Sequence, residues 1–156
     1  MSQSRDRVAD ELEIRNVVHR YADAASRRDA AAVASTFTAD GQWQSPAFGT
    51  HRGHDALVPF FTAMLQDWNA FIQGLQSGLV VFDTTDSDRA GGRWFVQETG
   101  QRSDGANLSI AGVYHDEYLR DAGEWRIGHR RYDPLLFRAD DAVNAVPFPA
   151  DAPTLD

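Results

Sequence analysis

The sequence predicts an α+β domain in which helices lie against one face of a mostly antiparallel sheet. Two observations carry that expectation. Apolar residues recur at helical spacing as far as Trp68, and from Ala70 the period shifts toward alternation, with short polar turns between the segments. A third observation bounds it: 156 residues with 42% hydrophobic and 24% charged content suit one soluble domain with a single substantial core.

The first helix is expected over residues 8–27, with Leu12, Ile14, Val17, Val18, Tyr21, Ala22 and Ala25 on its apolar stripe. Asp29 is placed to cap a second, Ala-rich helix with Val33 and Phe37 inward, ended by Asp40-Gly41. Gln42-Trp43-Gln44 reads as a short strand before the loop from Ser45 to Gly49. A third helix starts near Asp55 and turns Leu57, Phe60, Phe61, Met64, Leu65 and Trp68 inward. Strands follow at 71–82, 89–102, 108–120 and 124–132. The turns between them, around Asp83 to Asp88, Ser103-Asp104-Gly105 and Asp121-Ala122-Gly123, are short enough to make an antiparallel meander. Residues 1–137 form the expected domain, and 138–156 a Pro-containing tail packed on the surface or on a neighbouring subunit.

A net charge of −8 argues against a nucleic-acid partner, because phosphate binding leans on clustered cations. The chain has no cysteine, and the charged residues 1–7 carry no apolar leader segment. No window reaches the length of apolar sequence a membrane span needs, so a cytoplasmic protein without membrane contact is expected. The histidines lack the one-turn spacing of a metal site and no Gly-rich phosphate cradle precedes a helix, so neither a metal nor another cofactor is expected.

Polar residues on faces that should be buried mark a candidate pocket for a small hydrophobic ligand, since unpaired buried polar groups are costly. Tyr21 lies on the apolar stripe of the first helix, where its phenol either donates to a ligand oxygen or is satisfied within the core. Glu98 alternates with Trp94 and Val96; among such neighbours it is either an acid/base group with raised proton affinity or the permanent partner of an arginine. Tyr114 follows the small Gly112 on one strand face and either lines the pocket or packs. Trp43 and Trp94 are aromatic candidates for the pocket wall, with plain core packing as the alternative. On the last strand, Arg126, Gly128, Arg130 and Tyr132 share one face and Trp125, Ile127, His129 and Arg131 the other, and a bulge would exchange them. An inward Arg130 would hold an oxygen or Glu98; an inward His129 would be a proton-transfer group.

Tyr21-Ala22-Asp23, the Asp40-Gly41-x-Trp43 turn, the stretch from Gly53 to Leu57, and the run from Gly112 to Tyr118 followed by Gly123 to Ile127 resemble the SnoaL-like branch of the NTF2-like superfamily. The resemblance covers residues 8–132 and implies a cone-shaped α+β barrel with helices on the concave face of a curved sheet. It also implies homodimers or homotrimers, and an inward arginine at Arg130. The superfamily includes scytalone dehydratase, ketosteroid isomerase, a dehydrochlorinase, a bile-acid dehydratase, polyketide cyclases and non-catalytic binding members. The resemblance therefore implies a cofactor-independent lyase or isomerase acting on a small apolar cyclic metabolite of polyketide, steroid or aromatic type. The alternative is a non-catalytic binding or assembly module. In the dehydratase and dehydrochlorinase members, an aspartate of the first helix and a histidine of the first long strand form the acid/base pair. Those positions fall on Ser26 and within 69–73, where no histidine occurs, so that mechanism does not carry over and Ser26 is left as a candidate ligand contact.

Overall fold

The computed structural model describes residues 6–155; residues 1–5 of the leader expectation lie outside the described residues. Helix α1, Arg7–Ser26, opens on Asp6, whose carboxylate accepts from the Val8 and Ala9 amides. Its buried stripe is Ile14, Val17, Val18, Tyr21, Ala22 and Ala25, as the spacing predicts. Leu12 departs from the expectation and stays exposed, because it lies two residues, more than half a turn, from both buried Asp10 and buried Ile14 and so points away from the stripe. Asp29 caps α2, Ala30–Ser35, by accepting from the Ala32 amide.

Helix α2 is shorter than expected. Phe37 does not ride on it but begins strand β1, Phe37–Ser45, which lies parallel to the last long strand, with Phe37 opposite Ile127. The Ile127 amide donates to the Thr36 carbonyl at 2.9 Å, and that ladder contact ends the helix. Strand β2, Gly49–Arg52, folds back on β1 just past the expected loop from Ser45 to Gly49, where no strand was expected. Helix α3, His54–Leu65, buries Leu57, Phe61 and Leu65, and Trp68 opens β3 instead of closing the helix.

The meander is β3 Trp68–Phe82, β4 Arg89–Arg102, β5 Asn107–Asp121 and β6 Glu124–Ala139, with β7 Ala142–Ala145 pairing on the end of β6. Strand order across the sheet is β2-β1-β6-β5-β4-β3, antiparallel except for the β1/β6 pair. The last strand runs past the expected end at Tyr132 because its partner β5 continues to pair with it as far as Leu108 opposite Ala139. Register breaks at Leu75/Gly78 in β3 and at Glu117/Tyr118 opposite β6 bend the sheet around α1 and α3. At the second break Gly128 is the extra residue, so Trp125 and Ile127 end on the same buried face as Arg130 and Tyr132.

The tail lies on the convex face of its own sheet. Phe148 packs on Phe95 and His115, with ring centroids 6.3 and 5.8 Å apart, and Asp151 pairs with Arg131 at 2.9 Å. Arg93 donates to the Pro153 carbonyl at 3.0 Å. No helix among the described residues is long and apolar enough to cross a membrane.

Gly78 is required by the β3 bulge: a Cβ there would stand 2.2 Å from Cε3 of Trp94. Gly78→Ala therefore displaces the indole, and urea denaturation is expected to show a loss of about 1–3 kcal/mol.

Candidate functional site

Between the concave sheet face and helices α1 and α3 lies a cavity of ≈ 570 Å³. Helix α1 supplies Tyr21, α3 supplies Phe60 and Phe61, β3 Phe71 and Gln73, β4 Glu98, β5 Tyr114 and β6 Tyr132, while β1 contributes Trp43. The wall is mainly aromatic and aliphatic. Exposed Phe48, Asp67 and Phe137 mark the mouth. This is the enclosed gap that the sheet curvature and the two apolar helix faces require.

The polar groups converge at one end. Glu98 Oε2 accepts from the Tyr132 hydroxyl at 2.8 Å, and Oε1 accepts from Gln73 Nε2 at 2.9 Å. The same Nε2 donates to the Tyr114 hydroxyl oxygen at 2.8 Å. No lysine, arginine or histidine pairs with Glu98 among the described residues. Burial pushes its pKa above the ordinary carboxylate range, and the bonds from Tyr132 and Gln73 offset only part of that rise. Burial likewise raises the phenols of Tyr21 and Tyr114, so both stay protonated donors.

Arg130 sits behind these rings. Its side chain and that of Asp116 are each 0% exposed, and the two meet bidentately, Nε to Oδ1 at 2.8 Å and Nη2 to Oδ2 at 2.7 Å. Tyr118 donates to Asp116 Oδ2 at 2.5 Å and accepts from Trp94 Nε1 at 2.8 Å. The guanidinium carbon lies 3.9 Å from the Tyr114 ring centroid and 4.2 Å from that of Tyr21. Burial alone would make Arg130 easier to deprotonate; the Asp116 carboxylate overrides it and holds the arginine charged.

Of the residues singled out from sequence, Tyr21, Trp43, Glu98 and Tyr114 line one cavity. Four others do not. His129 lies on the opposite sheet face beside Gln42 and Glu117, because the Gly128 bulge turns Arg130 inward instead. Arg130 itself is inward but neither lines the cavity nor pairs with Glu98, since its direct cross-strand neighbour Asp116 engages Nε and Nη2, and Nη1 is left buried without a hydrogen-bond partner among the described residues. Trp94 is buried against Gly78 and Tyr118, away from the cavity. Ser26 is spent on backbone: its hydroxyl donates to the Ala22 carbonyl and accepts from the Gln73 amide at 2.9 Å. The arginine partner weighed for Glu98 is replaced by Tyr132 and Gln73.

Gln73 was not singled out, although it lies inside the 69–73 window where a histidine was sought. Tyr132 shared the Arg130 face in sequence, and that shared parity was its signal. Asp116 likewise alternates with Tyr114. Among the described residues no group of three or more His, Cys, Asp or Glu side chains converges as a metal site would.

A curved, unclosed sheet with helices in its concavity and a polar cluster at the end of an apolar hollow defines a cone-shaped α+β pocket protein. The chain belongs to the SnoaL-like domain family, whose profile matches residues 6–131. Solved structures agree on the fold. A hexachlorocyclohexane dehydrochlorinase, LinA-type3 of Novosphingobium barchaimii, is 21% identical with a TM-score of 0.78, covering 90% of this chain and 97% of its own. A candidate aromatic ring hydroxylase of Novosphingobium aromaticivorans is 24% identical with a TM-score of 0.79, over 86% of this chain and 96% of its own. A candidate scytalone dehydratase of the same organism is 17% identical with a TM-score of 0.78, over 94% and 97%. At such identities the likeness shows the fold alone. Among curated proteins there is no significant match.

Removing one member of a wholly buried ion pair strands the other charge, so Asp116→Ala is expected to cost about 3–5 kcal/mol in urea denaturation. Glu98 gives a pH-dependent effect of defined sign. Its folded pKa is raised, so the native state binds a proton more tightly than the unfolded chain. The wild type therefore loses stability as pH rises from the ordinary carboxylate range through the folded pKa, and the loss then levels off. Glu98→Gln lacks that loss. The stability difference, variant minus wild type, should rise between pH 4 and pH 8 in paired denaturation series.

Proposed function

We propose that this protein is a cofactor-independent lyase or isomerase acting on a small, largely apolar cyclic molecule, with Glu98 as the group that moves a proton. One observation carries the reading: a half-buried carboxyl without a cationic partner among the described residues faces an apolar cavity, held by Tyr132 and Gln73. A carboxylate largely withdrawn from water and without a cation beside it has the raised proton affinity that general-base work near neutral pH needs. Glu98 takes a proton from a ring carbon. The electron pair left behind either moves onto an adjacent carbonyl oxygen, as in an isomerase, or expels a leaving group from the neighbouring carbon, as in a lyase. In the first case the enolate oxygen lies within the donors of Tyr114 and Tyr21, and Glu98 returns the proton to another carbon. The dehydrochlorinase and dehydratase names among the similar structures, and membership of the SnoaL-like family, support the reaction class.

One observation favours a second reading, a binding module that kept the pocket without turnover. The Ser26 hydroxyl is committed to backbone and its neighbour on β3 is the neutral Gln73, so the positions of the related Asp/His pair hold no acid/base group.

The two readings separate on a panel of cyclic ketones, cyclic alcohols and halogenated rings incubated in deuterated water and followed by NMR. Deuterium uptake, double-bond migration or elimination is expected for at least one member. Glu98→Gln should slow it about 10²–10⁴-fold, and Tyr114→Phe about 10²–10³-fold. Binding without turnover across the panel would leave the module reading standing and remove the enzyme.

A further inference from the structure

We infer that Gln73 is the positioning residue of this pocket, setting Glu98 and Tyr114 as a base and donor pair, and that its side-chain amide turns over when Glu98 gains or loses a proton. The inference rests on the reading of Glu98 as the proton-moving group and goes beyond it to the residue that controls that group.

The hydrogen-bond directions fix the argument. An amide nitrogen can only donate, and Gln73 Nε2 spends both its hydrogens, one on Glu98 Oε1 at 2.9 Å and one on the Tyr114 oxygen at 2.8 Å. Tyr114 must therefore accept from Gln73, which leaves the hydrogen of its own hydroxyl for the Tyr21 oxygen or for a ligand oxygen that displaces it. Tyr132 donates to the second carboxylate oxygen at 2.8 Å, so both oxygens of Glu98 accept. That pattern belongs to the ionised carboxylate. A ligand facing this end meets an acceptor for its proton in Glu98 and a donor for its oxygen in Tyr114. The pair selects a ring whose acidic C–H lies beside an oxygen function.

The anchoring of Gln73 is equally defined. Its backbone amide donates to Ser26 Oγ at 2.9 Å, and Ser26 donates to the Ala22 carbonyl at 2.8 Å, so the residue is pinned to the end of α1. Only the side-chain amide is left to adjust. Its carbonyl, Oε1, is buried and has no hydrogen-bond partner among the described residues. A lone buried acceptor is costly, and here it has a use. Once Glu98 carries a proton, its hydroxyl needs an acceptor. A half-turn of the Gln73 amide presents the idle carbonyl to it. No proton passes through the amide; its two ends exchange places, so that while Glu98 is neutral Tyr114 faces the carbonyl and donates to it. The Nε2 hydrogens then take the partnerless position, a cost that the new bond from protonated Glu98 offsets.

The test is made on the full chain without ligand, by NMR. The Glu98 carboxyl carbon and the Gln73 side-chain amide are followed from pH 4 to pH 9 and assigned by comparison with Glu98→Gln and Gln73→Met. The expected result is one shared midpoint for both signals. Gln73→Met keeps the side chain's length but donates nothing, and should move the Glu98 midpoint up by about one to two pH units. Tyr132→Phe removes the other donor, and should raise the midpoint while leaving the Gln73 amide tied to it. A Gln73 amide that stays flat through the Glu98 titration overturns the inference. So does an unmoved midpoint in a folded Gln73→Met protein. If that variant does not fold, the wild-type amide titration decides alone. Absence of turnover across the ring-compound panel would remove the enzyme reading without altering these signals, so the two failures are distinguishable.

Discussion

The buried pair between Asp116 and Arg130 is the constraint on which the pocket depends. Two charges taken wholly out of water are tolerated only with near-ideal geometry and satisfied neighbours. Here the fork of the guanidinium meets both carboxylate oxygens, and Tyr118 adds a third bond to the acid. Direct cross-strand register between β5 and β6 brings the two residues together, and the Gly128 bulge turns Arg130 to the inner face. Because the flat guanidinium stacks behind Tyr21 and Tyr114, the pair also sets where those phenols stand. A helix and two strands are thus tied through one cation.

That arrangement decides the chemistry of Glu98 by leaving it alone. Had Arg130 paired with Glu98, the cation would have favoured the carboxylate and lowered its proton affinity. With the arginine's charge neutralised by Asp116, Glu98 has only neutral donors, and burial wins. The fold separates a structural ion pair from a lone carboxyl within a few residues of sheet. Tyr114 stands between them, stacked on the arginine and hydrogen-bonded through Gln73 toward the acid.

Much of this was legible in the sequence where local pattern governs. The α1 stripe from Ile14 to Ala25, the four meander strands and their polar turns follow from spacing and turn chemistry. Tyr21, Glu98 and Tyr114 were legible as polar residues in apolar alternation, and they do meet in one cavity. What escaped depends on contacts distant in sequence. Phe37 looked helical because only its ladder to Ile127 makes it a strand residue. The facing of Arg130 against His129 hung on one inserted residue, Gly128. Gln73 sits in the stretch Phe71 to Phe82, whose polarity does not alternate cleanly, so its inward direction emerges only from the register with Glu98.

The departure from related dehydratases has a physical logic of its own. Ser26 and Gln73 occupy the region where the resemblance expects an aspartate and a histidine, and the two are still neighbours through the Gln73 amide. Neither can ionise near neutral pH, so a charge-stabilised histidine is not available there. The carboxyl of this pocket stands instead on the adjacent strand, directly across the ladder, since Gln73 and Glu98 are paired in register. A neutral amide beside a lone carboxyl can serve it in either protonation state, offering hydrogens to the anion and a carbonyl to the acid. A histidine in the same place could become a cation, and its attraction would pull the carboxyl's proton affinity down again. Glutamine thus leaves the raised proton affinity of Glu98 intact.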